Sequence, residues 1–276
     1  MTAPPKASDL STRDSPRELL ADALCVPVES ILSFERIKHG LTNDSWRVQT
    51  ADDRLVARIS IAAEDLLQID RESEARVLDT VSAAGIGPEV VICDPRRQLL
   101  VTRDLGTTWS EADAHDRRNI DRLASLLRRL HALPVPSDVR HVDLMQAVRG
   151  YIETLERAGC ASRLTAQSMR VRGEHAALAL REGSIPCLCH NDIHHLNVID
   201  DGTLRLIDWE YAGIGERLFD LASICVYHRY DERERELLLS SYAPSASDAP
   251  HRLDLACWLF EYVRELWMEV RSRVET

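Results

Sequence analysis

The sequence predicts an α+β fold in two lobes, a small antiparallel-sheet lobe followed by a large helical one. Three observations carry this. Short runs rich in β-branched and aromatic residues crowd positions 31–102, helical periodicity dominates after Asp104, and a single β signal interrupts the helices between Pro186 and Trp209. The lobes are therefore set at 1–104 and 105–276, with the late hairpin where they meet at a cleft.

The elements follow in order. Residues 1–12, rich in Pro, Ser, Thr and Ala, read as a frayed end. Ser15-Pro16-Arg17-Glu18 then supplies an N-cap, a first-turn proline and a capping-box glutamate, so a helix to about Leu24 is expected. Ser33 to Lys38, Ser45 to Thr50 and Arg54 to Ser60 form a three-stranded meander, separated by Gly40-Leu41-Thr42-Asn43 and Ala51-Asp52-Asp53. Gln68 to Ala83 is helical by periodicity, and Glu89 to Cys93 pairs with Gln98 to Thr102 around Asp94-Pro95-Arg96-Arg97. Helical periodicity then covers Ile120 to Leu133, Val142 to Ala158, Ala161 to Arg181, Leu218 to His228, Glu232 to Tyr242 and His251 to Arg273.

Composition bounds the function. An apolar fraction of 45% over 276 residues is ample for a sizeable core. No apolar run approaches the roughly 20 residues that span a bilayer, and Met1 to Pro16 lacks the basic and apolar regions of a signal peptide. A cytoplasmic protein that does not engage membranes is expected. The seven cysteines are odd in number and scattered, as reduced core thiols are. With 34 basic against 45 acidic residues the net charge is −11, which disfavours nucleic acid and suits cationic ligands.

The chemistry concentrates in His190-Asn191-Asp192-Ile193-His194-His195-Leu196-Asn197 and, after a turn, Leu206-Ile207-Asp208-Trp209-Glu210. Asp201-Gly202 favours a two-residue type I′ turn, which sets Ile199 opposite Leu204 and Asn197 opposite Leu206. Alternation then places Asn197, Ile199, Leu204, Leu206 and Asp208 on one face, with Asn197 and Asp208 diagonal neighbours roughly 7 Å apart. One hard cation, naturally Mg2+, bridges such an amide oxygen and carboxylate. Asp192, five residues before Asn197 on a loop, lies near that metal and is free to accept a proton from an attacking hydroxyl. Two other readings stand beside this one: a plain polar loop, and a zinc site drawn from Cys187, Cys189, His190, His194 and His195, which lacks a second matching cysteine pair.

These residues resemble the aminoglycoside phosphotransferase and choline kinase superfamily, with its His-x-Asp-x-x-x-x-Asn run followed by Ile-Asp-Trp/Phe-Glu. The likeness is nearest to the bacterial choline/ethanolamine kinase and thiamine kinase branch, whose Asp-Trp-Glu-Tyr-Ala-Gly run recurs at Asp208 to Gly213. It implies a two-lobed protein-kinase-like fold and ATP as phosphoryl donor. By position Asp192 becomes the catalytic base, His190 the residue holding its loop, and Asn197 and Asp208 the magnesium ligands.

The first lobe adds to the resemblance. Gly40, Thr42 and Asn43 match the loop that covers the phosphates, where backbone N–H groups approach phosphate oxygens. Arg58 matches the cation on the α- and β-phosphates, and Glu74 the helix glutamate that orients it; a solvated strand residue and a charged helix surface are the plainer alternatives. Protein kinases carry Lys at the Arg58 position, and the run after Asp208 has neither Asp-Phe-Gly nor Ala-Pro-Glu, so a small-molecule acceptor is expected.

The acceptor pocket is expected in the helical lobe. Trp258, Glu261, Tyr262, Glu265 and Glu269 share one stripe of the last helix, aromatic and acidic, suited to an ammonium group; Phe260, Val263, Trp267 and Val270 share another. A solvated helix face explains the first stripe equally well. Glu210, Tyr211, Tyr230 and Trp267 fall near positions where choline kinases place acceptor residues, whereas Arg264 stands where another of their tryptophans belongs and weighs against a quaternary ammonium. The reading is a kinase for a hydroxyl of a small, cationic alcohol such as choline or ethanolamine, then thiamine, then an aminoglycoside, with a catalytically silent nucleotide-binding regulator as the alternative of another class.

Overall fold

The computed structural model describes residues 15–37, 43–60, 64–243 and 249–274, and these cluster into two compact units. The first unit comprises the chain up to Ile61 together with Val90–Asp104. Helix α1 (Pro16–Ala23) begins with the expected capping box, Ser15 and Glu18 each bonding the other's backbone. Strands β1 (Ser33–Ile37), β2 (Asn43–Gln49), β3 (Arg54–Ser60), β4 (Val90–Asp94) and β5 (Leu99–Arg103) form one antiparallel sheet in the order β1-β2-β3-β5-β4. Alternation buries Trp46, Val48, Leu55, Ala57, Leu99 and Val101 against Leu20, Ala21 and Ile31. At about 25 cal/mol per Å2 of apolar surface, this one-sided burial is what holds a small sheet together.

The second unit holds Ala62–Glu89 and everything from Leu105 onward. The helices between β3 and β4 therefore cluster with the helical unit and not with the sheet. The helix expected over Gln68 to Ala83 is α3 (Arg71–Ala83), beginning three residues later, and a short unexpected helix, α2 (Glu64–Leu67), precedes it. Gln68 adopts φ +58°, which stops α2, and Asp70 accepts from Ser73 N to start α3.

Next come α4 (Glu111–His115), α5 (Arg117–His131), α6 (Leu144–Arg157) and α7 (Gln167–Arg181). α7 starts six residues later than periodicity suggests, because Ser162 and Thr165 bond their own neighbours' backbone in a turn. Short strands β6 (Cys187–Cys189), β7 (Val198–Asp200), β8 (Leu204–Leu206) and β9 (Gly213–Gly215) make two small ladders, β6 with β9 and β7 with β8. Helices α8 (Arg217–Tyr227), α9 (Glu232–Tyr242) and α10 (Ala249–Val274) complete the unit. No helix among the described residues is long and apolar enough to cross a membrane.

The β7–β8 register corrects the expectation. Val198 pairs with Leu206 and Ile199 with Arg205, one residue away from the predicted pairing. The loop takes three residues, because Asp200 accepts from Gly202 N, Asp201 accepts from Thr203 N, and Gly202 turns the chain at φ +102°. A slip of one residue exchanges faces, so Ile199 does not share a face with Leu204 and Leu206.

Candidate active site

The expected centre of the chemistry assembles by a different route. Asn197 ends a 3-10 turn (His195–Asn197) ahead of β7, and its carbonyl accepts from Ile207 N at 3.0 Å, which brings it beside the Asp208 backbone. Asn191 and Asp208 both sit at positive φ, +68° and +66°. Non-glycine residues keep such conformations where the surrounding structure enforces them, and they gather at functional sites.

Loop 190–197 is held by buried polar groups. His190, fully buried, bonds the Ile207 carbonyl through Nε2 at 2.9 Å while its Nδ1 faces Asp192 N at 3.3 Å. A carbonyl can only accept, so Nε2 carries the proton and Nδ1 accepts. Burial holds the pKa of this ring below the usual histidine range, in keeping with that neutral tautomer. His190 thus ties the backbone of Asp192 to the segment leading into Asp208.

Asp220 on α8, fully buried, was not singled out from sequence. One oxygen accepts from His190 N at 2.9 Å and the other from Asn191 N at 2.6 Å, while His131 Nε2 approaches at 2.9 Å. Further along α8, Ser223 Oγ accepts from Ile193 N at 3.1 Å, and just past its end His228 Nε2 accepts from His195 N at 3.2 Å. Tyr227 Oη donates to Asp192 Oδ1 at 2.7 Å.

Asp192 Oδ2 lies 3.5 Å from Asn197 Nδ2 and 3.8 Å from His194 Nε2. Desolvation raises the pKa of this carboxyl, against the lowering influence of Tyr227 and His190. Asn197 Nδ2 also donates to the Asp192 carbonyl at 2.9 Å. The amide nitrogen therefore faces Asp192 and the amide oxygen is directed elsewhere. An amide oxygen and a carboxylate are both hard oxygen donors, so the residue types at 197 and 208 fit Mg2+.

Behind Asp208, Arg71 joins three carboxylates. It meets Glu64 at 2.8 Å, Glu74 at 2.8 Å and Glu210 at 3.1 Å, with Glu74 and Glu210 almost wholly buried. Glu210, expected to bind the acceptor, is tied into this internal network. Arg58 lies on the sheet face opposite Leu55 and Ala57, and Asn43 opens β2. Gly40 and Thr42 lie outside the described residues.

The aromatic candidates separate. Trp267 Nε1 donates to Tyr211 Oη at 2.8 Å, and Tyr211's carbonyl accepts from Asn191 Nδ2 at 3.0 Å, so this pair adjoins the loop. Trp258 and Tyr262 stack on one another, Tyr262 Oη bonds the Leu164 carbonyl, and a side chain at Gly173 of α7 would strike the Tyr262 ring. Tyr230 Oη bonds the Ala114 carbonyl. The Tyr230 ring lies 6.4 Å from that of His228, centre to centre. The α10 face toward Tyr227 carries Phe260, packed on that ring, together with Arg264, whose guanidinium carbon lies 5.6 Å from the Tyr227 ring centre.

Of the histidines in the zinc alternative, His190 has both ring nitrogens bonded and His194 Nδ1 accepts from Leu196 N, while the buried His195 Nδ1 has no hydrogen-bond partner. Cys187 and Cys189, 3.7 Å apart, face His131, whose nitrogens serve Tyr242 and Asp220.

Comparison with known proteins now decides the family. A model described as "Phosphotransferase enzyme family" matches residues 33–256. The chain belongs to the phosphotransferase enzyme family. This phosphotransferase is 27% identical over 214 residues to Protein LicA of Haemophilus influenzae, a match covering 74% of this chain and 60% of that relative. It is 37% identical over 83 residues to a thiamine kinase of Salmonella paratyphi B, covering 30% and 24% of the two chains. In fold it is similar to the choline kinase LicA of Streptococcus pneumoniae, at TM-score 0.76 and 19% identity over 94% of this chain and 90% of that one. A choline/ethanolamine kinase family protein of Mesorhizobium loti gives TM-score 0.75 and 24% identity, covering 94% and 86%. The chain is thus a member of the phosphotransferase enzyme family, spanning about 60% of the length of the Haemophilus relative it matches, and has the two-lobed kinase-like fold expected from its sequence.

Proposed function

We propose that this kinase transfers the γ-phosphoryl group of Mg·ATP to the hydroxyl of a small alcohol, with Asp192 as general base. The carrying observation is the Asp192 carboxylate, held at Oδ1 by Tyr227 and flanked at Oδ2 by Asn197, whose carbonyl accepts from Ile207 N next to the positive-φ Asp208. A carboxylate whose pKa burial has raised is a better proton acceptor than a solvated one. Asp192 orients the acceptor hydroxyl and takes its proton as the O–P bond forms. Asn197 and Asp208 hold Mg2+, which when bound neutralises phosphate charge. On the first unit, Arg58 and Asn43, with the segment containing Gly40 and Thr42, bind the nucleotide phosphates.

For the acceptor, choline or ethanolamine is the first reading and thiamine the second, supported by the likeness to choline, choline/ethanolamine and thiamine kinases. An opposing observation favours an acceptor with an anionic group. Arg264 stands over Tyr227, Arg271 lies 5.8 Å from the Trp267 ring centre and Arg172 lies 4.0 Å from that of Trp258. The aromatic faces that an ammonium needs are thus approached by the chain's own cations. A second positive charge about 7 Å from Arg264 is repelled by about 2 kcal/mol at an effective dielectric near 20, offset in part by Glu261 at 2.9 Å.

ADP release from Mg·ATP across choline, ethanolamine, thiamine, aminoglycosides, neutral sugars and small hydroxy acids tests both readings. Turnover with choline, ethanolamine or thiamine supports a cationic acceptor, and turnover confined to a hydroxy acid supports an anionic one. Silence across the panel with ATP still bound favours the non-catalytic regulator.

A further inference from the structure

We propose that Tyr227 is the positioning residue of Asp192, a role that rests on Asp192 being the base. The groups that hold loop 190–197 from beneath are Asp220, Ser223, Tyr227 and His228. Their spacing of three, seven and eight residues is that of one helix face, so α8 and its first following residue present them in a row. Asp220, Ser223 and His228 all take backbone N–H groups, of residues 190, 191, 193 and 195, and so fix the loop's path. Tyr227 alone in this row bonds the carboxylate itself.

The hydroxyl divides the work of that carboxylate. Oδ1 receives the Tyr227 proton at 2.7 Å, which leaves Oδ2, on the side of Asn197 and His194, to meet the acceptor hydroxyl. Without this bond the carboxylate turns about its Cβ–Cγ bond, and the oxygen facing the acceptor is no longer set. The Tyr227 ring cannot swing away, since His194 lies 4.8 Å and Phe260 5.6 Å from it, centre to centre, and Arg264 covers it. Desolvation holds the phenol pKa well above the usual tyrosine value, so the group stays a donor.

Replacing Tyr227 with Phe keeps the ring and its packing and removes only the donor. The expected result is a kcat lowered roughly 10- to 100-fold, the loss of one hydrogen bond to an ionised group, with KM for ATP and thermal midpoint unchanged. The probe is the best acceptor among choline, ethanolamine, thiamine and glycerate; if none exceeds background, basal Mg·ATP hydrolysis by water is compared instead. A double-mutant cycle separates positioning from mere packing. Adding Y227F to D192N lowers the rate no further if Tyr227 acts through Asp192, whereas an independent structural effect repeats in that background. Wild-type turnover by D192N overturns the base reading. A silent D192N with a Y227F enzyme as fast as wild type, or faster, overturns this inference alone and marks the hydroxyl as a plug that substrate displaces.

Discussion

Replacing Asp220 with Asn tests how loop 190–197 is held. The carboxylate serves three donors, the N–H groups of His190 and Asn191 and the Nε2 of His131. It is fully shielded from water, so none of these donors has a solvent alternative. An asparagine keeps the shape and one acceptor oxygen, and turns an NH2 toward at least one donor. An unsatisfied buried donor costs about 1–3 kcal/mol, and exchanging a charged for a neutral acceptor costs about 1 kcal/mol more for each surviving bond. The sum is about 3–5 kcal/mol, and at about 2 °C per kcal/mol for a chain of this size the melting temperature should fall by roughly 6–10 °C. Calorimetry or denaturant titration reads this directly, and turnover of the folded fraction should fall with it because the backbone of residues 190 and 191 sets the entry to Asp192. A D220N protein that melts within a degree of wild type and turns over normally would refute the reasoning.

Three further outcomes are expected. Asp208→Ala should raise the Mg2+ concentration needed for half-maximal turnover at least tenfold, or abolish turnover, with the fold intact by circular dichroism; an unchanged Mg2+ titration excludes Asp208 as a ligand. Burial holds both His194 and His228 at a pKa of about 4 against an ordinary 6.5, so below pH 6.5 the unfolded chain binds protons that the folded chain refuses. Their contribution is fully present above pH 6.5 and is lost toward pH 4, by up to about 1.4 kcal/mol per pH unit for each ring. The urea midpoint should therefore drop between pH 7 and 5, and less so in His228→Gln; a flat midpoint contradicts the buried neutral rings. Arg264→Gln should move the ratio of kcat/KM for choline over glycerate upward by about tenfold, and a ratio that stays put removes Arg264 from the acceptor site.

Much of this arrangement was legible because it is local. The intervals between His190, Asp192, Asn197 and Asp208 are properties of one short stretch of chain, and the capping box at Ser15 and Glu18 is another. The β7–β8 register was missed by one residue, since Asp200 and Asp201 both make side-chain turns that a two-residue Asp-Gly hairpin does not anticipate. Strand β9 is three residues with two glycines, too short for any periodicity. On α10, periodicity sorted residues into faces correctly but could not say which neighbour each face meets. Trp258 and Tyr262 went to Gly173 and Leu164, while Phe260, Arg264 and Trp267 went toward the loop. The row of Asp220, Ser223, Tyr227 and His228 has a helical spacing visible in sequence. What the sequence does not contain is that loop 190–197 lies over that face.

The most direct test of the account follows the phosphorus by 31P NMR in a reaction of Mg·ATP with the best acceptor of the panel. Wild-type protein should produce a phosphomonoester of the acceptor in step with ADP, and Asp192→Asn, folded and still binding ATP, should produce almost none. Equal phosphomonoester from both proteins, or ATP consumed only to inorganic phosphate, would contradict a small-molecule kinase that works through Asp192.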